Sequence, residues 1–99
     1  MKLALFARLE AKPGKEHDVV ELLNKGLALA RQESTTLMWF ALRLGPTTFA
    51  IFDTFADETG RQRHLSGPIA QALVASAPTL FTTQPVIEPL DVLGVKLPA

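Results

Sequence analysis

His64 and Asp53 are the two residues in this sequence of 99 that are best suited to acid–base chemistry. The reference pKa of histidine, about 6.5, would let His64 accept a phenolic proton or hold a phenolate near neutral pH. Asp53 alternates with apolar residues along a predicted strand, so its carboxylate could be a pocket base with a raised pKa. Each also has a structural alternative. His64 could bond a backbone carbonyl or cap a helix end, and Asp53 could pair with Arg43 or Arg8.

Four apolar side chains are candidates for binding an aromatic substrate beside these groups: Trp39, Phe49, Phe55 and Ile69. Trp39 could stack on such a ligand, and packing in the core or at a dimer interface is its alternative role. Its position depends on the hairpin register. Pairing of Leu44 with Thr47 turns Trp39 away from the Phe55 face, whereas a one-residue change in the loop turns it toward that face.

The composition excludes several other classes of site. There is no Cys, which removes disulfides, thiolate nucleophiles and thiolate metal centres, and two His are too few for an all-His zinc site. Ten Lys and Arg balance ten Asp and Glu, and this zero net charge disfavours a nucleic-acid partner. No phosphate-cradling or dinucleotide motif is present, and no apolar run is long enough for a membrane span. The sequence therefore predicts a cytoplasmic protein without a metal or cofactor.

Hydrophobic periodicity predicts an α+β domain over residues 1–99, with the element order β-α-β-β-α-β of the ferredoxin-like motif. Asp57 is a suitable N-cap for a short helix, Pro68 can begin the next helix, and Pro78 is expected to end it. Pro85 and Pro89 cannot donate ladder hydrogen bonds, so part of the last strand is expected to lie at a sheet edge or to be kinked. Strands are predicted over residues 2–11, 36–44, 48–56 and 84–96, and helices over 15–33, 57–65 and 68–76.

The predicted strands are apolar on both faces, although helices in this motif cover only one face of the four-stranded antiparallel sheet. The run Phe49-Ala50-Ile51-Phe52 illustrates the pattern. Burial of apolar surface lowers the free energy by roughly 25 cal/mol per Å² removed from water, so an uncovered apolar face is unfavourable. We therefore expect a homodimer in which the two uncovered sheet faces pack together.

Four segments, in this order along the chain, resemble the antibiotic biosynthesis monooxygenase family. They are Leu5-Phe6-Ala7-Arg8-Leu9, Lys12-Pro13-Gly14-Lys15, Phe52-Asp53-Thr54-Phe55 and His64-Leu65-Ser66-Gly67-Pro68. The resemblance implies a dimeric α+β barrel of ferredoxin-like subunits, each with a pocket between sheet and helices. It also implies a relation to cofactor-independent oxygenases of quinols and anthrones and to haem-degrading enzymes.

The sequence departs from the characterised branches of that family at specific positions. Ala7 and Phe55 stand where the haem-degrading branch has Asn and Trp, and residues 68–81 contain no His to ligate haem. Quinol-oxygenating relatives often have two His five residues apart. Here His64 matches the first and Ile69 stands at the second. Polyketide-tailoring relatives use Asn, Tyr and Trp, but this chain has no Tyr.

The resemblance implies a cofactor-independent monooxygenase that acts on an aromatic quinol or a polyketide-like molecule, and His64 is the candidate for handling the proton. A non-catalytic domain that binds a small ligand or mediates dimeric interaction is the alternative on the same fold. An isomerase or lactone-processing enzyme is a third possibility, because one scaffold can host several activities.

Overall fold

The computed structural model describes residues 1–98 and contains a four-stranded antiparallel sheet in the order β2-β3-β1-β4. This is the ferredoxin-like arrangement, and it confirms the predicted fold class. The element bounds are β1 (Leu3–Glu10), α1 (Glu16–Ala30), β2 (Thr36–Arg43), β3 (Thr48–Phe55), α2 (Glu58–Leu65), α3 (Pro68–Leu80) and β4 (Val86–Asp91).

The core lies between one face of the sheet and the helices. Alternate residues of β1 and β3 point to the same side, so Leu9 and Phe49 pack in one cluster with Val19 and Leu23 of α1 and Leu73 of α3. Phe49 and Phe55 are fully buried on this side, as the strand alternation predicted. This buried layer sets the separation between the sheet and the helices, and so limits the size of any pocket between them.

Short-range signals set the start of both helices in the second half of the chain. The side chain of Asp57 accepts a hydrogen bond from the backbone N–H of Gly60 at 2.9 Å, as expected of an N-cap. Pro68 occupies the first turn of α3, where its missing N–H costs no hydrogen bond. These two starts place His64 in the last turn of α2, close to the beginning of α3.

The prediction that Pro78 ends its helix is wrong, because α3 continues through Pro78 to Leu80. Two contacts hold the additional turn. The Lys12 backbone N–H donates to the Leu80 carbonyl at 2.8 Å, and the Lys12 ammonium donates to the Pro78 carbonyl. Ala77 is buried in the core, so tertiary packing outweighs the local cost of proline.

Two other predicted boundaries extend too far. The last strand ends at Asp91 rather than residue 96, since β1 offers partners for β4 only from Leu3 to Arg8. The first helix ends at Ala30 rather than residue 33, and the N–H of Glu33 closes a tight turn onto the Ala30 carbonyl. As predicted, β4 is an edge strand, which accommodates its proline.

The opposite face of the sheet carries exposed apolar side chains. Phe6, Phe52 and Phe40 lie opposite one another across β1, β3 and β2, and the Phe40 and Phe52 ring centroids are 6.2 Å apart. Phe40 and Leu42 are exposed large hydrophobic residues on this face. No helix within residues 1–98 is long and apolar enough to cross a bilayer.

Candidate functional site

The β2–β3 register brings Trp39 next to Asp53 on the helix-facing side of the sheet. Trp39 lies directly opposite Asp53, and Arg43 lies opposite Phe49. This is the second of the two registers considered for the hairpin, so Trp39 shares a face with Phe55. Trp39 and Asp53, which were both predicted as site residues, are therefore direct neighbours across β2 and β3.

His64 reaches the same region from α2 and lies between two carboxylates. Its Nε2 is 2.8 Å from Asp53 Oδ2, and its Nδ1 is 2.7 Å from Glu33 Oε1. Thr36 at the start of β2 donates its hydroxyl hydrogen to the same Glu33 oxygen at 2.7 Å. The cluster joins β3, α2, β2 and the loop after α1, so it exists only in the folded chain.

The cluster is removed from solvent. Side-chain exposure is 2% for Asp53, 7% for His64 and 17% for Glu33. Burial lowers the pKa of the His64 imidazole, but the hydrogen bonds and charges of Asp53 and Glu33 outweigh it and raise the pKa above the ordinary value. The cationic ring can donate from both nitrogens at once, which neutral imidazole cannot do. The surrounding carboxylates therefore favour imidazolium.

Asp53 retains one oxygen without a protein partner. Its Oδ1 is buried and makes no hydrogen bond, while its Oδ2 is bound to His64. A buried polar atom left unpaired costs about 1–3 kcal/mol, so such an atom calls for an explanation. Asp53 is also one of the residues that border a small apolar cavity between the sheet and the helices.

Two cavities lie between the sheet and the helices on either side of a shared apolar wall. The wall is formed by Ile51, Ile69 and Leu73. The larger cavity, about 130 Å³, is bordered by Trp39 and Gly26, and the smaller, about 20 Å³, by Asp53 and His64. Both cavities are mainly apolar, and the smaller one has the Asp53 and His64 side chains at its edge. Apolar walls with a few polar groups are typical of small-molecule sites.

The predicted site residues fall into two groups. Trp39, Ile69, Asp53 and His64 border the cavities. Phe55 packs on the His64 ring with centroids 5.3 Å apart, and so supports the cluster. Phe49 lies in the core beneath the Arg43 guanidinium, which is 4.8 Å from its ring centroid.

The alternative partners considered for Asp53 and His64 are not the ones observed. Arg43 lies over Phe49, and Arg8 is exposed on β1, whereas Asp53 pairs with His64. The His64 ring bonds side-chain carboxylates rather than a backbone carbonyl. Within residues 1–98, no group of three or more His, Asp or Glu side chains is arranged to hold a metal ion.

Sequence reasoning missed Glu33 and Thr36. One signal was available for Glu33. A carboxylate just beyond a helix C-terminus is disfavoured by the helix dipole, so a Glu at that position needs a nearby donor. Thr36 offered no such signal, since threonine is common in strands.

Comparisons with known structures show similarity to proteins at high and at low sequence identity. No protein-family model matches the chain, and no curated protein matches it significantly. The crystal structure of NE2512, a protein of unknown function from Nitrosomonas europaea, is 57% identical, with a TM-score of 0.94 over 99% of this chain and 95% of that one.

Two more distant structures have the same fold. PA3566 from Pseudomonas aeruginosa is 21% identical, with a TM-score of 0.80 over 94% of this chain and 95% of that one. A candidate antibiotic biosynthesis monooxygenase from Deinococcus radiodurans is also 21% identical, with a TM-score of 0.78 over 98% and 97% of the two chains. The resemblance noted in the sequence is thus confirmed at the level of the fold.

Proposed function

Because this chain belongs to the same family as NE2512 and has the fold of candidate antibiotic biosynthesis monooxygenases, we propose that it is a cofactor-independent monooxygenase. Its substrate is an aromatic quinol or a polyketide-like molecule bound between the sheet and the helices. In this proposal Asp53 accepts the substrate proton, the His64 imidazolium stabilises the resulting charge, and Trp39 and Ile69 contact the aromatic body. The whole of residues 1–99 acts as one domain.

One observation carries this proposal: Asp53 borders an apolar cavity, and its buried Oδ1 has no hydrogen-bond partner in the protein. A substrate hydroxyl there would donate its hydrogen to Oδ1. Imidazolium, held on the other oxygen of Asp53, would stabilise the negative charge that develops on the substrate. An apolar surrounding strengthens both interactions because it excludes water.

The chemistry needs no external reductant. Transfer of the enol or phenol proton to Asp53 gives an electron-rich anion that can pass an electron to O₂. When an anthrone-type methylene becomes a carbonyl, one oxygen atom enters the substrate and the other leaves as water. The four electrons that reduce O₂ all come from the substrate, so the protein has only to deprotonate, orient and desolvate it.

Oxygen uptake with a panel of quinols and anthrones tests the proposal. Wild-type protein should consume O₂, and Asp53→Asn should lose about 100-fold in rate, in the range of general-base contributions. His64→Ala should also lose activity. Asp18→Asn and His17→Ala change exposed residues of the same types and should retain wild-type rates. Equal activity in Asp53→Asn and Asp18→Asn would refute a role for Asp53.

A non-catalytic ligand-binding domain is the second candidate, and one observation favours it. Both ring nitrogens of His64 are already hydrogen-bonded to carboxylates, so the imidazole has no free lone pair with which to accept a substrate proton. Calorimetric titration with non-oxidisable phenols separates the candidates. Binding that depends on Asp53, without O₂ uptake by any quinol or anthrone, would support the binding domain.

We also propose that two copies of the chain pack through the uncovered sheet face. The exposed Phe40 and Leu42 on that face support this assembly. Light scattering at micromolar concentration should give the mass of a dimer. Phe52→Lys should yield monomers, whereas Val74→Lys, at an exposed apolar residue of α3, should remain dimeric. A wild-type monomer would exclude the assembly.

A further inference from the structure

Glu33 occupies a position in the His64 cluster that the proposed chemistry does not yet use. It follows the end of α1 and is distant from Asp53 and His64 along the chain, but its Oε1 lies 2.7 Å from His64 Nδ1. The hydroxyl of Thr36 donates to that same oxygen and fixes the Glu33 side chain. Glu33 therefore contacts the ring on the side opposite Asp53.

The carboxylates of Asp53 and Glu33 together determine the orientation and the protonation state of the His64 imidazole. Imidazolium has one N–H for each carboxylate, whereas either neutral tautomer would leave one carboxylate facing a lone pair. The titratable groups that contact His64 are Asp53 from β3 and Glu33 from the loop after α1. On α2 itself, the Arg61 guanidinium is directed instead toward Glu58 and the carbonyls of Ala4 and Leu90.

The C-terminal end of α1 is an unfavourable position for the Glu33 carboxylate. A carboxylate beyond the helix C-terminus is destabilised by the partial negative charge of the free carbonyls there. Its Oε2 is buried without a partner, which adds to the cost. Contact with imidazolium and with Thr36 offsets both effects, so the position of this side chain is explained by the cluster rather than by α1.

We propose that Glu33 is a positioning residue that keeps His64 doubly protonated and holds its Nε2 on Asp53, so that the second oxygen of Asp53 is left for the substrate. This role rests on the proposed function, because it assigns the substrate to Asp53 rather than to His64. Glu33 does not touch the substrate. It acts through the charge and orientation of the imidazole.

Nuclear magnetic resonance of the two imidazoles tests the proposal without any substrate, since the chain has only His17 and His64. Glu33→Gln preserves the shape of the side chain and a hydrogen-bond acceptor but removes its charge. The His64 titration midpoint should fall, because the charge that favours imidazolium is gone. An unchanged His64 midpoint would overturn the proposal.

Glu21→Gln is the matched control, because Glu21 contacts His17 Nε2 at 3.1 Å in an exposed pair. Glu21→Gln should not change His64. A His64 midpoint that falls equally in Glu21→Gln and Glu33→Gln would show that the shift does not come from the Glu33 contact, contrary to the proposal.

The pH profile of oxygen uptake distinguishes positioning from simple structural support. The alkaline limb should move to lower pH in Glu33→Gln, with kcat reduced and KM little changed. A profile that keeps its midpoint while the His64 midpoint falls would overturn the role. If wild-type protein consumes no O₂, the proposed function fails, and the imidazole titration alone then decides whether Glu33 controls the proton content of His64.

Discussion

The Oδ2 atom of Asp53 lies 2.8 Å from the Nε2 atom of His64, although one residue is in the sheet and the other is in a helix above it. This contact converts two isolated candidates into one buried ion pair. A buried pair of this kind contributes little by itself, but loss of one partner is costly because the other remains buried and charged. The relationship leads to predictions for both stability and pH dependence.

Asp53→Asn should reduce the free energy of unfolding by about 2 kcal/mol, since it removes a hydrogen bond between charged groups. Glu33 remains to compensate the imidazolium, which limits the loss. Urea denaturation at pH 7 measures the change. Asp18→Asn, at an exposed site, should stay within about 0.5 kcal/mol of wild type. Equal stability of the two variants would show that the Asp53–His64 contact does not contribute.

The stabilisation from His64 should decrease as the pH rises. Because its pKa is raised in the folded state, the contribution is complete below the unfolded value of about 6.5 and is lost as the pH rises through the folded value. The difference in unfolding free energy between wild type and His64→Gln should therefore shrink as the pH rises above the unfolded value and through the folded one. A difference that grows with pH would mean that the folded protein favours neutral imidazole.

Gly26→Ala should displace the Trp39 ring. A Cβ at this position would lie 3.2 Å from Trp39 Cζ2, and the adjoining cavity of about 130 Å³ leaves room for the ring to move. Better helix propensity offsets the crowding, so stability should change by less than about 1 kcal/mol.

Fluorescence measures the displacement, because Trp39 is the only tryptophan. The emission of Gly26→Ala should differ from wild type, and binding of aromatic ligands should weaken as the cavity narrows. Gly45→Ala introduces a Cβ with no atom within 4 Å and should leave the emission unchanged. Identical spectra for all three proteins would contradict close packing of Gly26 on Trp39.

Pro78→Ala should stabilise the protein by about 1 kcal/mol. The substitution restores an N–H within α3 and relieves the clash of the proline ring with the preceding turn. Thermal unfolding should show a higher Tm. Pro68→Ala, in the first turn of the same helix, should give no such gain because proline is favourable there. A lower Tm for Pro78→Ala would indicate that proline contributes mainly by restricting the unfolded chain.

Glu33 illustrates which part of the candidate site cannot be predicted from the local sequence. His64 and Asp53 could be selected from the sequence because few residues in it can exchange protons near neutral pH. Glu33 is one of ten acidic residues, and only its unfavourable place after a helix end sets it apart. Its function depends on a contact with His64, which is distant in sequence.

By itself, the sequence determined the order of strands and helices, the Asp57 cap and the helix start at Pro68, because periodicity and capping are local properties. It also determined the fold class, since that element order permits few sheet topologies. The side of the sheet on which Trp39 lies could be assigned only from the folded protein, because a one-residue change of register reverses every side chain of a strand. The tertiary structure also decided the continuation of α3 past Pro78 and the Asp53–His64–Glu33 cluster. These features depend on packing between distant segments, which overrides local preference and has no signature within a short stretch of sequence.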